Sequence, residues 1–414
     1  MKFEKYDSYI NSEIDWLEDI PSEWSVKRIK DLSRLESGST LTSNDLDENS
    51  IYPAYGGGGF RGYTSSYTND GDHLLIGRQG ALCGNIKRAT GKFWATEHSV
   101  VVYHKKNTNI EWYKYILDIM NLNQYSISSA QPGLSVERLT RLSLPYIDYK
   151  RQEIVANYLD IKTLKIDREI SILEQKIEKY KELKQTLIAE TVLRGLDKNA
   201  PLHECDSQWI GDIPKHWDTD RLKNIFNERV GKNLNIKTGE PVTSNILSVM
   251  KDIGVINHRD KGNVGNKMAE DITNYKLVYP NDIVVNKMNV MIGSVGISKE
   301  FGALSVVYII LITKKDSYAK YYDYFFRMKA FQRSLRRIAT GILEIREAVN
   351  MTLFMQEMMT KPPYDEQVKI ANYLDEKTSK IDSIVEVIGK KIEVLKEFRK
   401  TLINDVVTGK VKVA

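Results

Sequence analysis

The sequence contains little cysteine and no long apolar run. Cys83 and Cys205 are the only cysteines in 414 residues, so neither a disulfide framework nor a cysteine-based zinc site is expected. No stretch approaches the roughly 18 apolar residues of a membrane span. Residues 1–5 lack the apolar core of a secretory signal. These absences predict a protein of the reducing cytoplasm.

The sequence also lacks the motifs of enzymes that act on DNA. There is no P-loop, and the histidines show no metal-binding spacing such as HExxH. Lys361–Tyr364 resembles the Asn/Asp-Pro-Pro-Tyr/Phe motif of amino-methyltransferases, but a lysine cannot accept the hydrogen bond that the first residue of that motif accepts. Glu97 and His98 suggest an acid–base pair, yet on a strand their side chains would point to opposite faces. We therefore expect that this chain is not an enzyme.

Composition is that of a folded protein with more than one domain. Hydrophobic residues make up 42% and charged residues 28% of the chain, and its length predicts two or three domains. The net charge is +5, which by itself is weak evidence for a nucleic-acid partner. The local distribution of charge is more informative.

Most of the motifs occur twice. The leading segment Trp16–Trp24 returns as Trp209–Trp217, and each copy ends in Ile-Pro-x-x-Trp. The run Ala-Asn-Tyr-Leu-Asp occurs at Ala156–Asp160 and at Ala371–Asp375, each time four residues after a glutamine and shortly before Lys-Thr-x-Lys-Ile-Asp. Copies of about 200 residues are too large for a solenoid repeat. We therefore predict a pseudo-twofold molecule with two similar, non-identical working surfaces.

Each copy then shows the apolar pattern of a long paired helix. Steps of four and three place apolar residues on one seam for three to four heptads, with Lys184 and Arg399 at the skipped positions. The predicted seam residues are Ile166, Ile170, Leu173, Ile177, Tyr180 and Leu187 in the first copy and Ile381, Val385, Ile388, Ile392, Leu395 and Leu402 in the second.

The ends of these helices are also predicted. Thr163 and Thr378 are the expected N-caps, and Gly195 and Gly409 are the expected C-terminal glycines. Roughly 28 residues would form a rod of about 42 Å, longer than one DNA turn of about 34 Å. Either each helix packs on its own globular region, or the two pair antiparallel as a strut; the seam favours the pair. Mixed charges on the outer faces favour partner subunits over DNA.

Short apolar runs between turns predict two mixed α/β regions, at about 33–145 and 227–360. His73–Ile76 and Ser99–Tyr103 are predicted strands of the first, and Asp282–Val285 and Val306–Ile312 match them in the second. The glycine loop Gly56–Gly62 fits neither a P-loop nor a GxGxxG fingerprint. It is either a structural turn or a flexible loop that follows a DNA groove.

Tyr318–Ala339 carries the strongest local charge. An apolar stripe at helical spacing (Tyr321, Phe325, Met328 and Leu335) predicts a helix whose remaining surface is basic. That surface either only solubilises the helix or contacts DNA phosphates. The counterpart Trp112–Tyr125 keeps the aromatic stripe with Lys114 as its one basic residue, so the first region must draw its charge from elsewhere.

The predicted DNA contacts are residues at the turns and on this basic surface, because their side chains can bind phosphates or base edges. They are Arg61, Tyr63, Arg78, Gln79, Lys87, Arg88, Gln131 and Ser135 in the first copy and Lys287, Asn289, Lys329, Arg333, Arg336, Arg337 and Thr340 in the second.

The order and duplication of the motifs resemble the specificity subunits of type I restriction–modification systems over almost the whole chain. The resemblance rests on Ile20–Trp24 and Ile213–Trp217, on both Ala-Asn-Tyr-Leu-Asp runs, and on the endings Thr191–Leu196 and Val406–Val411. It implies two target-recognition domains, each reading half of a bipartite site in double-stranded DNA, and an antiparallel helix pair that sets the unread spacer. It also implies that two modification (methyltransferase) subunits bind the helix pair and bring S-adenosylmethionine. Restriction subunits, with a translocase and nuclease that use ATP and magnesium, would join them.

We therefore predict an α+β fold of two tandem pseudo-symmetric units, each a mixed α/β recognition domain followed by a long helix. The predicted segments are 1–147, 148–196, 197–360 and 361–414. Two alternatives stay open: a self-contained DNA methyltransferase or nuclease, and a coiled-coil scaffold whose two modules bind something other than DNA.

Overall fold

The computed structural model describes residues 4–126, 133–205, 207, 209–263, 267–340 and 348–413. The chain forms two compact units. Unit 1 comprises residues 1–174 and 390–414, and unit 2 comprises residues 175–389. Each unit contains one α/β domain, called domain 1 or domain 2 below, and a part of each of two long helices.

Domain 1 is built around a mixed six-stranded sheet. The strands of domain 1 as a whole are β1 (Tyr9–Ile14), β2 (Leu17–Pro21), β3 (Ser25–Arg28), β4 (Ser33–Ser37), β5 (Tyr52–Gly56), β6 (Gly59–Thr64), β7 (Asn69–Gly77), β8 (Ile86–Ala95), β9 (Ser99–His104) and β10 (Ser143–Tyr146). Its short helices are α1 (Ile29–Leu32), α2 (Ile110–Ile119) and α3 (Val136–Arg141). The sheet order is β4-β9-β7-β8-β5-β6.

The central strands of this sheet are covered on both faces. Leu74 and Val102 belong to the large core that also contains α2, whereas Leu75 and Val101 face a smaller core around Phe93. Strands buried on both faces appear as continuous apolar runs. The strands predicted at 73–76 and 99–103 are confirmed as β7 and β9. Their apolar runs reflect burial on both faces.

Domain 2 repeats the plan with shorter elements. Its strands are β11 (Leu202–Glu204), β12 (Asp212–Pro214), β13 (Asp218–Arg221), β14 (Phe226–Glu228), β15 (Leu247–Met250), β16 (Gly254–Asn257), β17 (Lys276–Val278), β18 (Ile283–Asn286), β19 (Val295–Ile297), β20 (Gly302–Leu304), β21 (Tyr308–Thr313), β22 (Ala339–Thr340), β23 (Ala348–Val349) and β24 (Met358–Lys361). β14-β21-β18-β19 form an antiparallel sheet. The strands predicted at 282–285 and 306–312 are confirmed as β18 and β21.

The basic segment of domain 2 is not one helix, so that prediction is wrong. The helices of this region are α5 (Leu222–Ile225), α6 (Ala319–Arg327), α7 (Lys329–Ser334) and α8 (Met351–Phe354), with a 3-10 turn at Leu335–Ile338. The chain is extended at Met328, and the buried side chain of Gln332 donates to the freed carbonyl of Phe326 at 3.1 Å. The break brings the Phe325 and Phe331 rings within 5.4 Å in one core.

The two long helices are α4 (Tyr149–Arg194) of 46 residues and α9 (Tyr364–Val407) of 44 residues. They are longer than the predicted 28 residues, and α4 measures about 69 Å. Thr163 and Thr378 lie inside the helices and are buried, so their assignment as N-caps is wrong. The turns of α4 before Ile166 show no seam, because their apolar residues Val155 and Leu159 pack into domain 1 instead of against α9. No helix in the described residues has the apolar length that a bilayer crossing needs.

Within each unit the long helices pair, as predicted. The pairing is antiparallel, because later residues of α4 meet earlier residues of α9. All twelve predicted seam residues are buried or half-buried. Ion pairs between the helices include Arg399–Asp167 (2.8 Å) and Lys391–Glu169 (2.7 Å) in unit 1 and Lys184–Asp382 (2.7 Å) in unit 2.

Each long helix ends against a leading segment. Gly195 and Gly409 follow the helices with φ values of +76° and +81°, which confirms the predicted C-terminal glycines. A Cβ on Gly195 would lie 2.9 Å from the Trp217 ring, and one on Gly409 would lie 2.4 Å from Pro21 and 3.0 Å from Trp24. The recurrence of Ile-Pro-x-x-Trp therefore reflects one joint, built once in each unit.

Candidate nucleic-acid interface

The glycine loop of domain 1 is the turn of an aromatic hairpin formed by β5 and β6. Phe60 is 57% exposed, and its ring lies 5.1 Å from that of the exposed Tyr63. Arg61 between them is also exposed. Exposed aromatic rings beside a guanidinium are suited to bases and phosphates, since rings stack and the guanidinium forms a two-pronged contact.

Two loops and one strand of domain 1 meet this hairpin. A Cβ on Gly57 would lie 2.9 Å from the carbonyl oxygen of His98 and 3.0 Å from that of Gln79, so these backbones touch. The Gln79 side chain lies 2.8 Å from His98 Nδ1. Lys87 is exposed beside the hairpin turn at Gly59. The structure thus brings the predicted Arg61, Tyr63, Gln79 and Lys87 together and adds His98, which the sequence analysis did not select.

Two other predicted contacts of domain 1 have partners inside the domain. Arg78 donates to the carbonyl of Leu134 at 3.2 Å and to Ser37 Oγ at 3.0 Å. Arg88 Nε donates to Asp72 Oδ1 at 2.7 Å, and the guanidinium also pairs with Glu111. The bond from Arg88 holds the pKa of Asp72 below its usual range. These arginines cross-link the sheet and loops, so they are weaker candidates for DNA contact than Arg61 or Lys87.

The last two predicted contacts of this copy follow α2. Ser135 caps α3, its hydroxyl accepting from the Arg138 amide at 3.4 Å. Gln131 lies outside the described residues.

In domain 2 a cleft with polar and apolar lining lies beside the hairpin of β15 and β16. Its volume is about 360 Å³, and β15 and the loop after β18 form its walls. Asn289 lies in this cleft together with Asn286, and the carbonyl of the intervening Lys287 accepts from the Val349 amide at 2.9 Å. Four basic side chains that the sequence analysis did not select also line it: Lys251, His258, Lys261 and Lys267. The basic run at 258–267 was the sequence signal that could have identified them.

The basic surface on α7 and the following 3-10 turn divides into two classes. Arg333 and Arg336 are exposed, and within the described residues neither contacts a carboxylate. Both line a hollow of about 630 Å³ beside Trp209. Arg337 instead pairs with the buried Glu357, whose pKa is raised by burial, and Lys329 lies 3.3 Å from Asp252. Thr340 belongs to β22, and its side chain is outside the described set.

The geometry expected for Glu97 and His98, the suspected acid–base pair, is wrong. Glu97 and His98 lie in a turn rather than on a strand, and His98 Nε2 is 3.4 Å from Glu97 Oε1. The reason for separating them was therefore wrong. Glu97 also accepts a bond from the Leu41 amide at 3.3 Å, which ties it to the loop. Among the described residues, no group of three or more His, Cys, Asp or Glu side chains is placed to hold a metal ion.

Part of the chain is similar to known proteins. Residues 21–182 match the model of the type I restriction modification DNA specificity domain. Over 164 residues the chain is 42% identical to the EcoprrI type I restriction enzyme specificity subunit of Escherichia coli, which covers 39% of this chain and 41% of that protein. The first part of the chain is thus similar to the DNA specificity domain of type I restriction–modification systems. The specificity subunit of the MjaVIII type I enzyme of Methanocaldococcus jannaschii is 21% identical over 422 residues, 95% of this chain and 94% of that protein.

The match to the EcoprrI specificity subunit spans less than half of that protein's length. Solved structures extend the likeness in fold. A chain from a structure of the type I R-M system that addresses complex assembly and conformational transition aligns with a TM-score of 0.68 over 95% of this chain and 99% of that chain, at 13% identity. The HsdS subunit from Thermoanaerobacter tengcongensis aligns with a TM-score of 0.54 over 95% and 98%, also at 13% identity. These likenesses concern the fold alone.

Proposed function

We propose that this chain is the non-catalytic DNA-recognition subunit of a type I restriction–modification complex. The observation that carries the proposal is the contrast between a repeated framework and differing exposed residues. Both domains place a two-stranded hairpin beside the loop after a central strand, β7 or β18. Domain 1 offers Arg61 and Gln79 there, and domain 2 offers Asn286 and Asn289. Two readers of different half-sites require this arrangement.

Base reading is assigned to these side chains because of their hydrogen-bonding geometry. Arg forms two-pronged contacts with guanine, and Asn or Gln with adenine, each worth about 1–3 kcal/mol of discrimination. Arg61→Ala should therefore change the preferred bases in one half-site and Asn289→Ala those in the other. Loss of selectivity in the same half-site for both variants would refute the assignment of one domain to each half.

Phosphate binding is assigned to exposed basic residues that form no salt bridge with a described carboxylate, Lys87 in domain 1 and Arg333 and Arg336 in domain 2. Neutralisation of phosphates releases condensed counterions and supplies much of the affinity for DNA. Two tethered domains also gain affinity from their effective concentration once one of them is bound.

The paired helices are proposed to set the unread spacer and to bind the modification subunits. Exposed apolar side chains on them support a docking role: Leu164 (70%), Val394 (67%) and Phe398 (46%) in unit 1, and Val387 (65%) and Leu183 (52%) in unit 2. The modification subunits would supply S-adenosylmethionine, and the restriction subunits would use ATP and magnesium.

Methylome sequencing tests the function. The chain co-expressed with a modification subunit should direct methylation to one asymmetric bipartite sequence. Purified chain should bind duplex DNA with an affinity that falls steeply as salt increases. S-adenosylmethionine binding by the chain alone would favour a self-contained methyltransferase, and no duplex binding at low salt would favour the non-DNA scaffold.

The spacer role has its own test. Seven residues inserted into both α4 and α9 should change the spacer of the methylated sites and leave both half-sites unchanged. Altered half-sites with an unchanged spacer would contradict the proposal.

A further inference from the structure

The Ala-Asn-Tyr-Leu-Asp run builds the same contact in both units. In unit 1 the Tyr115 hydroxyl on α2 donates to Asp160 Oδ1 on α4 at 2.7 Å and lies 3.3 Å from Thr163 Oγ1. In unit 2 the Tyr324 hydroxyl on α6 donates to Asp375 Oδ1 on α9 at 2.7 Å and lies 3.2 Å from Thr378 Oγ1. The aspartate that ends each repeated run is therefore the acceptor for a tyrosine of its own domain.

The glutamine before each run adds a second contact. The fully buried Gln152 accepts from the Asn109 amide, at the start of α2, at 2.8 Å and donates to the Ile147 carbonyl at 2.7 Å. Gln367 accepts from the Tyr318 amide, at the start of α6, at 2.8 Å and donates to the Pro362 carbonyl at 2.8 Å. Each domain helix is thus held at two points along its length, which fixes its angle to the long helix.

The chemistry of the tyrosine contact suits a rigid joint. A neutral phenol donating to a carboxylate forms a charge-assisted bond, about twice as strong as a neutral one. Burial raises the pKa of Tyr115 to about 12 and that of Tyr324 still further, so both hydroxyls keep their protons at physiological pH. The surrounding apolar core would keep the domain folded without this bond. The bond therefore contributes mainly by fixing the angle between the domain helix and the long helix.

We propose that Tyr115 and Tyr324 are positioning residues that fix the orientation of each recognition domain on its long helix and thereby the spacer length that the protein accepts. This inference rests on the proposed function. Neither tyrosine belongs to the candidate DNA-contacting surfaces, so its effect on recognition passes through the joint. Loss of one such hydrogen bond should weaken the preference for one domain orientation about tenfold.

The test is methylome sequencing with the Tyr115→Phe/Tyr324→Phe double variant, co-expressed with a modification subunit. We expect both half-sites to be unchanged, and the preference for the native spacer over spacers one base pair longer or shorter to fall about tenfold. Asp160→Asn with Asp375→Asn keeps an oxygen acceptor but removes its charge, so the native spacer preference should fall by less than in the double tyrosine variant. Tyr113→Phe is the matched control, because its buried hydroxyl contacts Ser33 at 2.9 Å within domain 1.

The outcomes separate the two proposals. A wild-type protein without a bipartite methylation pattern would overturn the proposed function itself. A wild-type bipartite pattern with the same spacer distribution in the double variant would overturn the inference alone. A broadened spacer in Tyr113→Phe would also overturn it, because any buried hydroxyl would then have the same effect. Melting temperatures of all variants show whether the double variant remains folded.

Discussion

Lys184 and Asp382 form the same interhelix contact in unit 2 that Arg399 and Asp167 form in unit 1. Lys184 Nζ lies 2.7 Å from both oxygens of Asp382. Arg399 donates to the two oxygens of Asp167 at 2.8 and 3.1 Å. Lysine and arginine occupy equivalent positions of the two repeats, and both aspartates end the Lys-Thr-x-Lys-Ile-Asp run. The skipped positions of the apolar seam are therefore ion-pairing positions.

The ion pair in unit 2 gives the first prediction. Lys184 and Asp382 side chains are 29% and 61% exposed, so Lys184→Ala should lower the free energy of unfolding by only about 0.5 kcal/mol. Lys184→Asp places two carboxylates together and should cost more, and adding Asp382→Lys should restore stability. Urea unfolding of the three variants measures this. Lys179→Ala is the control, because Lys179 pairs with Glu182 on its own helix. Absence of recovery in the double variant would disprove the coupling.

The glycines after the long helices give the second prediction. Gly409→Ala would combine a strained positive φ with a clash against Pro21 and Trp24, and should lower the free energy of unfolding by about 2 kcal/mol or more. Gly195→Ala should behave similarly against Trp217. Gly389→Ala is the matched control, since it lies inside α9 with open space around it and should stabilise by about 1 kcal/mol. Thermal unfolding separates the two classes, and equal destabilisation at all three positions would contradict the prediction.

The exposed arginines of domain 2 give the third prediction. Arg333→Gln with Arg336→Gln should reduce the slope of log affinity against log salt by about 2, since each phosphate contact contributes about 0.9. The preferred bases should not change. Arg168→Gln, on an exposed position of α4, should leave the slope unaltered. Fluorescence anisotropy with a duplex over a series of salt concentrations provides the slopes, and an unchanged slope in the double variant would remove these residues from the interface.

His104 gives a prediction of pH dependence. Burial lowers its pKa below the usual value, and His73 and Arg88 act in the same direction while Asp72 opposes them. A folded pKa below the unfolded value of about 6.5 means that the stabilising contribution is complete above that pH. It is lost as the pH falls below about 6.5 towards the folded pKa. His104→Gln should therefore lose less stability than wild type between about pH 7.5 and 5, as measured by urea unfolding. If both proteins lost the same stability over this pH range, His104 would not contribute to the pH dependence.

The sequence predicted those parts of the fold that depend on local periodicity. The buried runs of β7, β9, β18 and β21 and the seam of α4 and α9 each carry their own pattern. The start of α4 could not be predicted from the seam, because residues such as Val155 and Leu159 turn their apolar face towards domain 1. Thr163 looked like an N-cap because its true partner, Tyr115, is distant in the sequence.

The candidate site was harder to predict for the same reason. Arg88 has a side chain that could bind phosphate. However, the register of β7 and β8 sets Leu74 opposite Arg88 and brings Asp72 Oδ1 within 2.7 Å of Arg88 Nε. Arg337 pairs with Glu357, twenty residues later in the chain. Charge alone indicated which residues are able to bind phosphate, while tertiary pairing decides which of them remain available.

The contacts of the last turns of α9 have a consequence for biosynthesis. Leu402, Val406 and Val407 complete the core of domain 1, and the Lys412 amide donates to the Glu4 carbonyl at 2.8 Å. Residues 402–412 thus complete a domain whose strands and short helices all lie more than 250 residues earlier in the chain. Domain 2 differs, because Ile188 and Val192, which complete its core, are translated before it. Until residues 402–407 are translated, domain 1 lacks these core side chains, and we expect the apolar surface left exposed to make the nascent domain prone to aggregation.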